Sequence, residues 1–313
     1  MKSWTAASVA EQALRLAQSR PGDLLVVVGP TASGKTSLAV ELAGALGGEV
    51  VSADSVQVYR GFDVGSGKPT TEELSRAPHH LVSAIDPGEH IDAAAWAERA
   101  ASAIVDVRAR GRVPVVCGGT FLWIKALLYG LAETPAASEE VRQRHRAIAE
   151  REGRSALHAR LRSVDAESAA RLHPNDLVRV SRALEVHELT GQSMSALQRG
   201  HGFATARHPA TLVALTCDPA TLTERIRTRA RAWLRDGWVD EVQGLVSRGL
   251  GDSRPMGSVG YAQVRSMLAG DLRREELEEA IVRATRVFAR RQRTWLNHAD
   301  VTWLGGEAHA PGG

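Results

Sequence analysis

The sequence predicts an α/β fold, a parallel sheet flanked by helices, with an all-helical domain inserted into it. Six short apolar runs, at 24–29, 49–54, 80–86, 113–118, 211–218 and 301–304, are continuous rather than alternating, as strands buried on both faces are. Helical stretches such as 36–46 and 93–110 separate them, so the order is βαβα and the sheet parallel. Between 137 and 201 the strand pattern stops, and Arg, Glu and Ala recur at helical period.

Taken in order, Val9, Ala10, Ala13, Leu14 and Ala17 sit at helical spacing, which predicts an amphipathic helical extension over 1–20. Glu11 and Arg15 fall where a secretory leader would be apolar, so a mature cytosolic start is expected. The core then occupies 21–136 and 202–313. Ser138, followed by Glu139 and Glu140, is an N-cap signal for the helical insertion at 137–201, with Pro135 before it. Gly200, Gly202 and Pro209 mark its end. Two long helices follow at 219–235 and 275–296, then a last strand and a small polar tail.

The chain has 313 residues, 43% hydrophobic and 24% charged, enough for a sizeable core. No apolar run reaches the roughly 18 residues of a membrane helix, so a cytoplasmic protein is expected. Cys117 and Cys217 lie in apolar runs without metal-ligand spacing and read as buried core thiols. His173 and His187 have no Cys or carboxylate at ligand spacing, which argues against a metal site there. Of 39 cationic residues only four are Lys; the Arg excess concentrates at 225–295, with fifteen Arg against nine acids. Arg suits phosphate recognition, although compositional bias explains the excess equally well.

Gly29-Pro30-Thr31-Ala32-Ser33-Gly34-Lys35-Thr36 fits G-x-x-x-x-G-K-[ST], with an apolar strand before it and a helix after it. The fold expectation sharpens accordingly to a P-loop NTPase-like sheet. The loop is expected to turn its backbone N–H groups toward a polyphosphate, Lys35 to add charge and Thr36 to hold Mg²⁺. In most such proteins the occupant is a nucleoside triphosphate such as ATP. The base-reading pattern N-K-x-D is absent, which argues against a GTPase. Three predicted strands end in Asp. Asp218 precedes Pro219 and reads as a helix cap, and Asp86-Pro87-Gly88 reads as a turn. Asp54 has no evident structural task and is the candidate base.

With these residues in place the chain resembles the bacterial tRNA dimethylallyltransferases, also called tRNA isopentenyltransferases. The resemblance rests on the loop at 29–36, Asp-Ser-Val-Gln-Val-Tyr at 54–59, Gly-Ser-Gly-Lys-Pro at 65–69 and Gly-Gly-Thr at 118–120. It continues through His-Pro-Asn-Asp at 173–176, Ser-Arg-Ala-Leu-Glu-Val at 181–186, Arg-Ile-x-x-Arg at 225–229 and Val-Gly-Tyr at 259–261. It implies a monomer that alkylates N6 of the adenosine 3′ of the anticodon, tRNA position 37, in tRNAs reading codons that begin with U. Dimethylallyl diphosphate is the donor and Mg²⁺ the cofactor. The resemblance assigns catalysis to Asp54, Thr120 and Arg229. The diphosphate falls to Gly29, Pro30, Thr31, Ala32, Ser33, Gly34, Lys35, Thr36, Lys68 and Arg225. The anticodon stem-loop falls to Asp54, Ser55, Val56, Gln57, Thr120, Arg142, Val178, Arg179, Val180, Ser181 and Arg182, and to Gly257, Ser258, Val259, Gly260, Tyr261 and Ala262. Basic residues flank the Val-Gly-Tyr core in much of the family; Gly257 and Ala262 replace them here.

The chemistry fits these residue types. An exocyclic amine conjugated with a purine needs its proton removed as it attacks, and a carboxylate does this. A leaving diphosphate needs positive charge. The alternatives are a small-molecule or nucleotide kinase, a prenyltransferase of free adenine nucleotides, and a non-enzymatic RNA-binding module.

Overall fold

The computed structural model describes residues 6–203, 205–297 and 299–305. The predicted polar tail at 306–313 and the start of the N-terminal extension, residues 1–5, lie outside them. The chain forms two compact units, one from the segments before Tyr129 and after Ala206, the other from Tyr129–Ala206.

The first unit opens with α1 (Ala6–Ser19), which buries Val9, Ala10 and Ala13. Then come β1 (Leu24–Val28), α2 (Lys35–Ala45), β2 (Glu49–Ala53), α3 (Thr71–Arg76), β3 (His79–His80), α4 (Ala93–Ala109), β4 (Pro114–Gly118) and α5 (Phe121–Tyr129). β1, β2 and β4 are buried along their whole length, which is why their sequences do not alternate, although β2 also buries the polar Glu49 and Ser52. The second unit holds α6 (Glu139–Glu152), α7 (Arg154–Val164), α8 (Ala166–Arg171), α9 (Leu177–Thr190) and α10 (Met194–His201) around Leu157, Leu161, Val180 and Leu184. Ser138 caps α6, its hydroxyl accepting from Val141 N.

On returning to the first unit the chain adds β5 (Ala210–Leu215), α11 (Pro219–Arg235), α12 (Trp238–Ser247), α13 (Tyr261–Leu268), α14 (Leu277–Leu296) and β6 (Thr302–Leu304). The re-entry is pinned to the exit, Arg207 N donating to Leu128 O at 2.7 Å. The sheet is parallel throughout, in the order β3-β2-β4-β1-β5-β6. The loops after β1, β2 and β4 therefore emerge side by side at one edge, where ligands of open α/β sheets bind.

Two local expectations need correction. The run at 80–86 is not one strand: β3 stops at His80, because Leu81 and Ser83 adopt left-handed φ of 61° and 51°, and only Ile85 rejoins, as a bridge to Tyr59. Cys117 is buried in β4, but Cys217 lies two residues beyond the end of β5 and is only half-buried.

A packing knot joins two of the glycine motifs. The Trp238 ring is buried against Gly65 and Gly260, and a Cβ on either would fall inside it. Beside it Glu241 accepts from Asp63 N at 2.8 Å, Val64 N at 2.7 Å and the Tyr261 hydroxyl at 2.6 Å. Gly260 also has φ +94°, which side chains rarely adopt. Gly260→Ala is expected to lower the unfolding free energy by about 1–3 kcal/mol in urea titrations. Gly257→Ala, with nothing within 4 Å of the added Cβ, should stay within about 0.5 kcal/mol of wild type.

Candidate active site

The loop 29–36 leaves β1 and enters α2. Ala32 and Gly34 hold φ of 65° and 96°, which curls the backbone into an anion-binding concavity. Not every N–H turns inward. Thr31 N donates to Gln292 Oε1 at 2.8 Å and Ser33 N to Pro30 O at 3.3 Å. Among the described residues, the N–H groups of Ala32, Gly34, Lys35 and Thr36 have no protein acceptor and are left for a ligand. The loop is braced from α11: Arg225 Nη1 donates to Ser33 O at 3.3 Å, and Arg229 Nη2 to Thr31 Oγ1 at 2.6 Å. The Arg229 guanidinium also stacks on Trp233, 4.5 Å from the ring centroid. A Trp233 ring atom would in turn lie 2.7 Å from a Cβ on Gly67, which accounts for that glycine.

Two cations of this cradle lack a carboxylate partner among the described residues. Burial pushes the Lys35 ammonium below its ordinary value, against the opposing pull of Asp54. Burial pushes Arg229 down to about 10, again against Asp54. Close by, burial lifts the Cys117 thiol to about 12, so it is neutral and inert. Lys35, Thr36 and Asp54 line one small cavity of about 20 Å³ together with Ser52, Gln57 and His79. The cation cradle and the carboxylate are thus neighbours.

Asp54 does have a structural task. Its Oδ1 accepts from Val56 N at 2.9 Å and Gln57 N at 3.2 Å, capping the turn after β2. Among the described residues no donor reaches Oδ2, so a capped, oriented carboxylate keeps one oxygen free for a proton. Thr120, heading α5 after β4, accepts from Ser55 N through Oγ1 at 3.1 Å and donates its own N–H to Ala53 O at 3.1 Å. Its hydroxyl hydrogen remains available. Gln57 lines the cavity with its amide already engaged, Oε1 accepting from Ser52 Oγ at 3.3 Å and Nε2 donating to Ser66 O and Gly67 O.

Several expected ligand contacts are absorbed by the protein itself. Lys68 Nζ donates to Tyr59 O, Asp63 Oδ1 and Ser83 Oγ, at 2.6, 2.5 and 2.8 Å, which uses all three hydrogens. Gly260 and Tyr261 are buried in the knot around Trp238, because the glycine is needed for packing and the tyrosine for Glu241. Gly257, Ser258, Val259 and Ala262 keep some exposure. Asp218 caps α11 and Asp86 pairs with Arg60 at 2.6 Å, so neither competes with Asp54.

In the helical unit the expected tRNA segment splits by helix face. Val178 and Arg179 are 79% and 74% exposed, whereas Val180 is fully buried and Ser181 is turned inward onto His145 Nδ1 at 2.9 Å. Five consecutive helical residues cannot face one ligand. Arg142 and Arg182 converge on Glu185, which is completely buried and also accepts from Ser138 N at 2.6 Å. Burial alone would raise the Glu185 carboxyl, but the Arg182 and Arg142 hydrogen bonds hold it below the ordinary value. Among the described residues no group of three or more His, Cys, Asp or Glu could hold a metal.

Sequence reasoning missed Gln292, Glu241 and Trp238. Each acts on backbone or ring atoms more than a hundred residues away, or on motif glycines, so no local pattern marks them.

Residues 57–299 match the family model described as IPP transferase. The chain is 63% identical to a tRNA dimethylallyltransferase of Sorangium cellulosum, over 92% of each chain. It is 49% identical to one of Myxococcus xanthus, over 87% of this chain and 89% of that one. Among solved structures, it is similar to the tRNA isopentenylpyrophosphate transferase of Bacillus halodurans (TM-score 0.67, 36% identity, 90% and 89% coverage). It is also similar to a eukaryotic dimethylallyltransferase acting on tRNA (TM-score 0.73, 26% identity, 90% and 73% coverage).

The unpaired cations make a testable prediction. An anion in the cradle raises the depressed Lys35 pKa, so above the free-protein value its binding takes up a proton. Affinity for inorganic pyrophosphate should therefore fall as pH rises through that value, with proton uptake measurable by calorimetry in buffers of different ionisation enthalpy. Lys35→Arg, which stays charged, should flatten the dependence. Parallel pH profiles for the two proteins would contradict it.

Proposed function

The chain belongs to the IPP transferase family, and from that premise we propose that it is a tRNA dimethylallyltransferase acting on N6 of the adenosine 3′ of the anticodon. The observation that carries the mechanism is that the braced carboxylate of Asp54 lines one cavity with Lys35 and Thr36 of the cradle.

The diphosphate of dimethylallyl diphosphate occupies the free N–H groups of Ala32, Gly34, Lys35 and Thr36, with the Lys35 and Arg229 charges around it. The target adenosine leaves the anticodon stack, at lower cost than in a duplex because the loop is single-stranded. Its N6 lone pair forms the bond to the allylic carbon while the carbon–oxygen bond breaks and its electron pair leaves on the diphosphate. Asp54 takes the N6 proton. Thr120, fixed by Ser55, orients the acceptor base with its remaining hydrogen. The Thr36 hydroxyl, without a protein partner among the described residues, is a hard oxygen donor that would hold Mg²⁺. When bound, the ion would offset charge on the leaving group.

For the RNA, Val178 and Arg179 are the exposed members of the expected segment. Arg142 and Arg182 support the RNA surface through Glu185, each keeping only part of its guanidinium for phosphate. No described helix is long and apolar enough to cross a membrane.

Labelled dimethylallyl diphosphate with unmodified tRNA tests the activity, with labelled ATP as the kinase control. Transfer of the prenyl label to tRNA, and none of the ATP label, is the expected result. Asp54→Asn should cut the single-turnover rate by about 10²–10⁴ while tRNA binding persists. Arg179→Ala should weaken tRNA binding and reduce the log–log salt slope by about 0.7–0.9, with the melting temperature unchanged. An unchanged slope would remove Arg179 from the RNA surface.

A further inference from the structure

Gln292 lies on α14, within a buried stripe that includes Thr285, Ala289 and Leu296. It is 6% exposed, and both ends of its amide are used. Oε1 accepts from Thr31 N at 2.8 Å, and Nε2 donates to Gly119 O at 2.9 Å. Thr31 belongs to the diphosphate loop, and Gly119 precedes the acceptor-side Thr120. One side chain therefore ties the two substrate loops together. Gly119 has no room for a Cβ, which would strike the Gln292 amide.

Thr31 is fixed a second time, and so is Thr120, the residue after Gly119. Arg229 holds the Thr31 hydroxyl, and Thr120 is bonded to Ser55 N and Ala53 O, on either side of Asp54. The hydrogen bonds run from the phosphate loop through Gln292 to the turn beside the base. We propose that Gln292 is a positioning residue that sets the diphosphate loop at its working distance from Thr120 and Asp54, so that the allylic carbon and N6 meet in line. This rests on the dimethylallyl-transfer reading above. The role needs an acceptor and a donor on one fork. Glutamate supplies only acceptors while ionised, and methionine neither.

Bond formation requires the reacting atoms within about 3–3.5 Å, and a misplacement of about 1 Å costs about 10²-fold in rate. Slack between the loops therefore affects the chemical step more than occupancy of either loop. Gln292→Met and Gln292→Glu are compared with wild type for single-turnover transfer at saturating substrates, for inorganic pyrophosphate affinity and for melting temperature. Gln292→Met is expected to lose about 10²-fold in rate with pyrophosphate affinity within about threefold of wild type. For Gln292→Glu, a buried carboxyl regains the donor to Gly119 when protonated, so its rate relative to wild type should climb as pH is lowered from about 8 to about 6. A residue that merely fills the core would move the melting temperature and leave that ratio flat. The inference is overturned by Gln292→Met transferring within about threefold of wild type, by a rate loss matched by lost pyrophosphate affinity, or by a flat Glu ratio. Absence of transfer by wild type itself would instead overturn the activity reading.

Discussion

The close approach of β2 and β4 at their carboxyl ends is the constraint on which the site depends. Gly118 pairs in register with Ala53, and a Cβ on Gly118 would collide with the Ala53 carbonyl. With hydrogen in that place the two strands close up, and the residues that follow, Asp54 on one and Gly119 and Thr120 on the other, emerge within hydrogen-bonding reach. Thr120 then bonds on both sides of Asp54, to Ala53 O and Ser55 N. β1 lies on the other side of β4, with Val28 opposite Gly118, so the phosphate loop rises next in line. The strand order alone sets the sequence base, acceptor turn, diphosphate loop across the edge of the sheet.

Much of this was legible because it is local or periodic. Strands buried on both faces declare themselves as continuous apolar runs, and the loop 29–36 is a contiguous motif with its strand and helix attached. What escaped was what only tertiary structure creates. A glycine needed for a ligand and one needed for an indole look alike in sequence: the resemblance gives Gly260 to the RNA, while in the fold Trp238 packs against it and against Gly65. Asp54 seemed idle because the turn it caps has no Pro or Gly to announce it. Gln292 sits among arginines on α14 while its partners lie 261 and 173 residues earlier.

The arginine excess shows why composition could not settle a role. Arg60 pairs with Asp86, Arg227 with Glu279 and Arg231 with Glu278. Such partly exposed pairs contribute little stability. Arg142 and Arg182 are different, because the carboxylate between them is completely buried. Removing either leaves Glu185 short of a partner, and breaking a buried ion pair costs about 3–5 kcal/mol. Their loss would lower stability whether or not they touch RNA. Arg179, exposed and paired with Asp176, is separable from the fold in a way its neighbours are not.

Lys35 and Arg229 represent the opposite choice. Neither has a carboxylate partner among the described residues, and burial depresses both, a cost that a fold avoids unless something else supplies the negative charge. An anion that binds only the folded state returns that energy in proportion to its occupancy. A cradle of this kind stabilises phosphate oxygens and is indifferent to which bond is broken. In phosphoryl transfer the broken bond is phosphorus to oxygen, and the nucleophile must approach in line with phosphorus. In the alkyl transfer proposed above, the cradled diphosphate is itself the leaving group, and the nucleophile must approach carbon from the opposite side. The same loop serves both chemistries, and the difference lies in what stands opposite it. Here that is the turn after β4 and the capped carboxylate of Asp54, held by backbone donors with one oxygen left over for a proton.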